Sequence, residues 1–347
     1  MDSDASELFS DCGSDYRDSS TSDSEPCSSD VDDLSVTSGA ASGIHRLLLS
    51  SGAESPDGSI SALVAVLDSP KASVDSLRRA AMELRLLARH NPDNRIRIAE
   101  SGAVRPLVAL LSHPDPLVQE HGVTALLNLS ICHENKVIVV EAGAIPPLVR
   151  ALKSATSLAA RENAACALLR LSQLDGAAAA AVGRAGAIPL LVSLLETGGG
   201  RGKKDAATAL YALCSGAREN RLRTVEAGAV TPLLDFMSDP ESGMVDKAAY
   251  TLYSLLGFAE GRSATVEEGG IPILLELVEV GTSRQKEIAT LSLIQICDDN
   301  AVYRNMVARE GAIPALVALS QSSSARPNLV TRVNGFLFLL RDSNKQK

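Results

Sequence analysis

The chain is poor in aromatic residues. Tryptophan is absent and Phe, Tyr and Trp together make up 3% of 347 residues, so its core has to be aliphatic. It also has no apolar run near the roughly 18 residues that a membrane-crossing helix requires, which argues against membrane insertion. The start, Met1-Asp2-Ser3-Asp4, has neither the basic nor the apolar part of a secretory signal, and Asp2 stands where myristoylation needs Gly. The six cysteines, at 12, 27, 132, 166, 214 and 297, include no C-x-x-C pair. Disulfide frameworks belong to short secreted chains, so a reducing compartment, cytoplasm or nucleus, is expected.

Catalytic and metal-binding patterns are missing too. The five histidines, at 45, 90, 113, 121 and 133, form no H-E-x-x-H, and Cys132-His133 is the one adjacent Cys/His pair. A zinc site needs four ligands, usually in two close pairs, so no metal is expected. Cys166, Cys214 and Cys297 fall in apolar helical stretches and read as core. Gly198-Gly-Gly-Arg-Gly-Lys-Lys204 fails as a phosphate loop. Thr197 takes the place of the first Gly, Lys204 replaces the magnesium-binding Ser/Thr, and a helix precedes it instead of a strand. It reads as a flexible connection between helices. With no paired carboxylates placed for acid–base work, the expectation is no enzyme, no catalytic residue and no cofactor.

The charge is unevenly distributed. Residues 1–40 hold 11 acidic groups against one basic group, Arg17, while the rest holds 31 acidic and 32 basic groups. The body is nearly neutral, which argues against nucleic acid as a partner.

A repeat organises that body. Glu100-Ser-Gly-Ala-Val-Arg-Pro-Leu-Val-Ala-Leu-Leu111 returns as Glu141-Ala-Gly-Ala-Ile-Pro-Pro-Leu-Val, Arg184-Ala-Gly-Ala-Ile-Pro-Leu-Leu-Val, Glu226-Ala-Gly-Ala-Val-Thr-Pro-Leu-Leu, Glu268-Gly-Gly-Ile-Pro-Ile-Leu-Leu and Glu310-Gly-Ala-Ile-Pro-Ala-Leu-Val. A weaker first copy starts at Gly58. The anchoring glycines, Gly58, Gly102, Gly143, Gly186, Gly228, Gly269 and Gly311, lie 44, 41, 43, 42, 41 and 42 residues apart. Each unit reads as three helices. A short first helix ends at the Gly, a second starts at the Pro with its missing N–H, and a third is long and apolar on one face. Asp115 before Pro116 reads as a cap, and Thr282 with Gln285 as a capping box. One such unit cannot bury its apolar faces alone, but stacked neighbours can, so the expected fold is an all-α, right-handed α-solenoid.

The Gly kink, the Ile-Pro start and the three-helix unit resemble the armadillo repeat, over residues 58–342, with about seven copies. Within that family, Lys203-Lys-Asp-Ala-Ala-Thr-Ala-Leu210 and Glu162-Asn-Ala-Ala-Cys-Ala-Leu-Leu169 resemble the repeat array of plant U-box ubiquitin ligases. In those ligases a U-box precedes the array and recruits the ubiquitin-conjugating enzyme. The 57 residues before Gly58 are mostly Ser, Asp and Glu, too few apolar groups for that module, so ligase activity is not expected.

The resemblance implies a partner groove lined by the third helices. In importin-α and β-catenin an Asn late in that helix bonds the backbone of an extended partner, and importin-α adds a Trp one turn earlier. Here the ladder position reads Arg85, Asn128, Arg170, Ala212, Ser254 and Gln295, then Leu337 or Phe338. With one Asn and no Trp, import-receptor activity is not expected. Earlier turns of the same face add Arg78, His121, Thr124, Asn163, Lys247 and Tyr250. Arg78, Arg85, His121 and Arg170 form a basic first half, continued by Lys247 and Tyr250, which points to an acidic or phosphorylated protein segment.

Residues 1–43 contain 13 serines and almost no large apolar groups, so a disordered arm is expected. Ser20, Ser22 and Ser29 each have an acid three residues on, a pattern that acidophilic kinases favour. Tethered beside a basic groove, the arm would compete with acidic partners. Residues 44–57 read as a cap or linker and 343–347 as a polar tail. The expected function is a non-enzymatic protein–protein interaction scaffold. The alternative is a ubiquitin-pathway component that presents substrates or competes with U-box ligases. Ubiquitin-pathway proteins or kinases are the candidate partners.

Overall fold

The computed structural model describes residues 56–322 and 326–343. The arm over 1–43, Ser20, Ser22 and Ser29 within it, most of 44–57 and all of 343–347 except Ser343 lie outside them. Among the described residues there are twenty α-helices, one 3-10 turn and no strand. The chain divides into two compact units, Met1–Leu174 and Asp175–Lys347.

The first unit opens with a two-helix copy, α1 (Pro56–Asp68) and α2 (Val74–His90). Two full three-helix repeats follow: α3 (Pro92–Glu100), α4 (Val104–Leu110) and α5 (Pro116–Leu129), then α6 (His133–Glu141), α7 (Ile145–Ser154) and α8 (Leu158–Ser172). The second unit holds four more. These are α9 (Gly176–Arg184), α10 (Ala187–Thr197) and α11 (Gly200–Gly216), then α12 (Arg218–Glu226), α13 (Val230–Met237) and α14 (Val245–Leu255). They continue with α15 (Ala259–Glu267), α16 (Gly270–Val280) and α17 (Ser283–Cys297), and end with α18 (Ala301–Arg309), α19 (Ala312–Ser320) and α20 (Pro327–Ser343). Within each unit the third helices of successive repeats pack side by side.

The turn between first and second helices is set by glycine. Gly102 has φ +85° and Gly186 φ +85°, a region that costs an L-residue about 1–2 kcal/mol. At this φ the Gly102 N–H donates to Ala99 O (3.2 Å) and the Ala103 N–H to Ile98 O (3.4 Å), closing α3. The same φ recurs at Gly143, Gly228, Gly269 and Gly311. Gly58 differs: it lies inside α1 without a positive φ, so the first copy is not turned there.

Several third helices start on side-chain caps. Asp115, Ser157 and Thr282 each accept a hydrogen bond from the backbone N–H three residues on, worth about 1 kcal/mol apiece. Thr282 and Gln285 complete a reciprocal capping box. The glycine-rich stretch is shorter as a connection than its composition suggests. Gly198 and Gly199 link the helices, and Gly200 already begins α11. Cys132 and His133 open α6, beyond the end of the third helix α5.

Polar side chains on the first helices tie the repeats together. Asn135 Nδ2 donates to Leu129 O (3.1 Å) and Arg95 O (3.0 Å), and Asn220 Nδ2 to Leu213 O (3.1 Å) and Ala179 O (2.9 Å). One residue further on, Arg95, Arg221, Arg262 and Arg304 donate to carbonyls at the end of the preceding third helix. There the guanidinium meets the partial negative charge of the helix terminus. The core between is aliphatic, with Leu107, Leu126, Leu148 and Leu168 fully buried. Each such side chain contributes about 1.5–3 kcal/mol.

Candidate functional site

In the first unit the third helices α2, α5 and α8 carry the residues expected to line a groove. Arg78 is already engaged: its Nε donates to Asp115 Oδ1 (2.9 Å), its Nη2 to Asp115 Oδ2, and its Nη1 to Asp75 Oδ1 (3.1 Å). The guanidinium holds the Asp115 carboxyl well below the usual carboxylate range, helped by the backbone N–H of Val118. Arg78 is therefore a clamp between α2 and the start of α5, and its charge is locally neutralised.

Arg85 is different. Its Nη1 lies 3.3 Å from His121 Nδ1, and no carboxylate oxygen comes within 4 Å of its guanidinium among the described residues. Burial, together with the Arg85 charge, pushes the His121 imidazolium down in pKa, so the ring is neutral at neutral pH and accepts at Nδ1. Half-buried, the Arg85 guanidinium is thus oriented by a neutral partner. Arg89, one turn on, also lacks a carboxylate within that distance among the described residues.

Asn128, Thr124 and Asn163 are buried inside the stack. Asn128 Nδ2 donates to Arg85 O (3.0 Å) and Asn163 Nδ2 to Thr124 Oγ1 (2.9 Å), while Thr124 Oγ1 donates to Glu120 O (2.8 Å). These three join adjacent third helices and do not line an open surface, which corrects their expected role. Arg170 is half-buried at the end of α8. Burial of Lys136, on the first helix of the same repeat, lowers the pKa of that ammonium, and the Arg170 charge adds to the shift.

In the second unit Tyr250 and Ser254 are also buried. The Tyr250 hydroxyl accepts from Arg284 Nε (3.0 Å), and the Arg284 guanidinium lies 5.3 Å from the centre of the Tyr250 ring. Ser254 Oγ donates to Thr251 O (2.6 Å). Both serve packing between third helices, so neither lines a surface as expected. Lys247 is half-buried. At the last ladder position Leu337 is buried and Phe338 exposed. No group of three or more His, Cys, Asp or Glu among the described residues is placed to hold a metal ion. No single described helix is long and apolar enough to cross a membrane.

Residues 91–131 and 132–173, two of these three-helix units, match the family model described as armadillo/beta-catenin-like repeat. U-box domain-containing protein 8 of Arabidopsis thaliana is 31% identical over 266 residues, 76% of this chain and 70% of that protein. The chain belongs to the armadillo-repeat family. U-box domain-containing protein 2 of the same plant is 47% identical over 242 residues, covering 70% of this chain and 34% of that protein. The chain spans only about a third of proteins 2, 17 and 3 of that group, at 34%, 33% and 30% of their lengths. Among solved structures, an engineered protein superposes with a TM-score of 0.67 at 26% identity, covering 82% of this chain and 70% of that one. A designed armadillo repeat protein in complex with the peptide (KR)4 superposes with a TM-score of 0.58 at 26% identity, covering 68% and 99%.

Against the armadillo pattern the ladder of this chain is altered. The one Asn it has, Asn128, spends its amide on the neighbouring α2 backbone. The sequence reading missed the Asp115 salt bridge, which crosses 37 residues and leaves no local signal. It also missed the first-helix donors, although Asn-Arg, Asn-Lys and Asn-Arg recur eight residues before Gly102, Gly143 and Gly228.

Proposed function

We propose that this armadillo protein is a protein-binding scaffold with no reaction of its own, and that the carboxyl ends of α2 and α8 capture an acidic or phosphorylated segment of a partner protein. The observation that carries the reading is Arg85: a half-buried guanidinium, oriented by a neutral imidazole and without a carboxylate partner among the described residues. A phosphate or carboxylate presented there gains a charge-assisted, bidentate bond at a site whose geometry is already fixed. Of the expected groove residues on the first unit, Arg85, His121 and Arg170 make up the proposed binding set. The (KR)4 peptide of the designed relative is basic, so the partner proposed here has the opposite charge. Phosphorylation at Ser20, Ser22 or Ser29 would make the arm a competing ligand for the same site. The cysteine spacing of the sequence, with no C-x-x-C pair, favours a reducing compartment, cytoplasm or nucleus, for this function.

A second reading is a ubiquitin-pathway component. It is favoured by 47% identity to U-box domain-containing protein 2 over 242 residues. On that reading the array presents substrates, or withholds them from U-box ligases. Proximity labelling with the wild type beside Arg85→Glu/Arg170→Glu tests both. Loss of a set of acidic or phosphorylated proteins supports the groove, and ligases within that set support the second reading. An identical protein list for wild type and variant would overturn the assignment to Arg85 and Arg170.

A further inference from the structure

Every full repeat has a first helix; the opening copy, α1 and α2, has none among the described residues. The consequence is visible on α2. Leu86 is 50% exposed, whereas its equivalents one residue past the ladder position, Leu129, Leu171, Leu213, Leu255 and Ile296, are at most 1% exposed. The neighbouring positions behave otherwise. Glu83 and Arg79 stand where the later copies, through Leu293 and Ala289, have Leu126, Leu168, Leu210, Leu252 and Leu293, or Gly122, Ala164, Ala206, Ala248 and Ala289. That part of α2 is charged, as the outer face of a terminal repeat must be. The end of the first unit is therefore polar where another whole repeat would stack and apolar where a single helix would suffice.

The sequence just upstream repeats the register of such a helix. In all six full repeats the residue four before the turn glycine is fully buried: Ile98, Val139, Val182, Thr224, Thr265 and Val307. Ile44-His-Arg-Leu-Leu-Leu-Ser-Ser-Gly-Ala53 has the same register, with Leu48 four before Gly52 and an Ala after the Gly, as in Gly102-Ala103 and Gly143-Ala144. Ile44, Leu47 and Leu48 share one helical face. The connection also fits: four residues follow Ser51 before α1 begins at Pro56, against three between α3 and α4. Gly58, inside α1, cannot make this turn, and Gly52 can.

We infer that residues 44–51 dock on the open face of α2 as the missing first helix, turned by Gly52, with Leu48 inserted beside Leu86. The repeats fix where the arm then leaves. In the fourth copy the start of the first helix abuts the end of its own third helix, so closely that a Cβ on Gly176 would lie 2.8 Å from Gly216 O. By register Gly176 corresponds to Ser42 and Gly216 to Arg89. Docking therefore delivers the acidic arm to Arg89, one turn from Arg85. Only this last step rests on the reading of Arg85 as the binding site.

Hydrogen–deuterium exchange on the full chain, with no partner present, tests the docking apart from that reading. Amides of 46–51 are expected to exchange at least about tenfold more slowly than in the isolated peptide of the same sequence. Leu48→Asp is expected to abolish that protection and to accelerate exchange in α2 around Leu86, leaving 175–343 unchanged. Arg85→Glu is expected to leave the protection intact. Exchange of 46–51 at the peptide rate in the wild type would overturn the inference, as would α2 exchange unaltered by Leu48→Asp.

Discussion

Gly183 and Asn220 interlock closely enough for one substitution to change sign with its background. Asn220 is fully buried, with its amide N–H bonds to Ala179 O (2.9 Å) and Leu213 O (3.1 Å). Its Oδ1 occupies the space that a side chain at 183 would need: a Cβ there would sit 1.8 Å from that oxygen and 2.6 Å from Cγ. Asn220→Ala removes these two hydrogen bonds and the one that Oδ1 accepts from Arg223 Nη1 (3.3 Å), about 1 kcal/mol each, and leaves a small void, a loss of about 3–4 kcal/mol. Gly183→Ala must expel the same amide and strains its seat, a loss of about 2–4 kcal/mol. In the Asn220→Ala background the clash is gone. There the better helix propensity of Ala makes Gly183→Ala neutral or stabilising by up to about 1 kcal/mol. The cycle should thus show a coupling of about 2–5 kcal/mol. Urea titration followed by circular dichroism reads it, with hydrogen exchange across 176–226 assigning the loss to the right helices, since repeat arrays unfold in parts. Equal destabilisation by Gly183→Ala in both backgrounds would refute the reasoning.

Other consequences follow from the electrostatics and burial. The Asp115 carboxyl, depressed by Arg78, contributes stability that is present above the ordinary carboxylate range near pH 4 and is lost as pH falls towards its folded value. Asp115→Asn should flatten that acid limb in a series of melting temperatures against pH. His121 is held neutral by burial and Arg85, so folding binds fewer protons there than the unfolded chain does. Stability should fall as pH drops below about 6.5, and His121→Gln should remove that slope. Burial pushes the Cys214 thiol up to about 11 and the Cys297 thiol up to about 12. A thiol reagent should therefore modify half-buried Cys132 first among the described cysteines, and reach Cys214 and Cys297 only on unfolding, as read by mass spectrometry of the labelled peptides.

What the sequence made legible was whatever repeats with a local cause. Gly102 through Gly311 could be recognised because one backbone conformation selects glycine at the same place in each copy. Asp115-Pro116 and Thr282–Gln285 could be recognised because caps act within three residues. The groove was harder to read, because exposure on a third helix depends on the neighbouring repeat. Asn163, Thr124 and Tyr250 sit at the spacing of an outward face, yet the adjacent helices cover them. Arg78 read as a free cation because Asp115 lies 37 residues away. Gly58 continues the regular glycine spacing, but spacing alone does not report φ, and that residue lies inside α1.

The central claim is tested most directly by fluorescence anisotropy of a labelled Asp18–Asp33 peptide, phosphorylated at Ser20, Ser22 and Ser29, titrated with the full chain at low and at high salt. The account predicts salt-sensitive binding that Arg85→Glu weakens by at least about tenfold. Arg85→Lys should keep part of the affinity through charge while losing the bidentate geometry. Equal affinity of wild type and Arg85→Glu for that peptide would contradict the account.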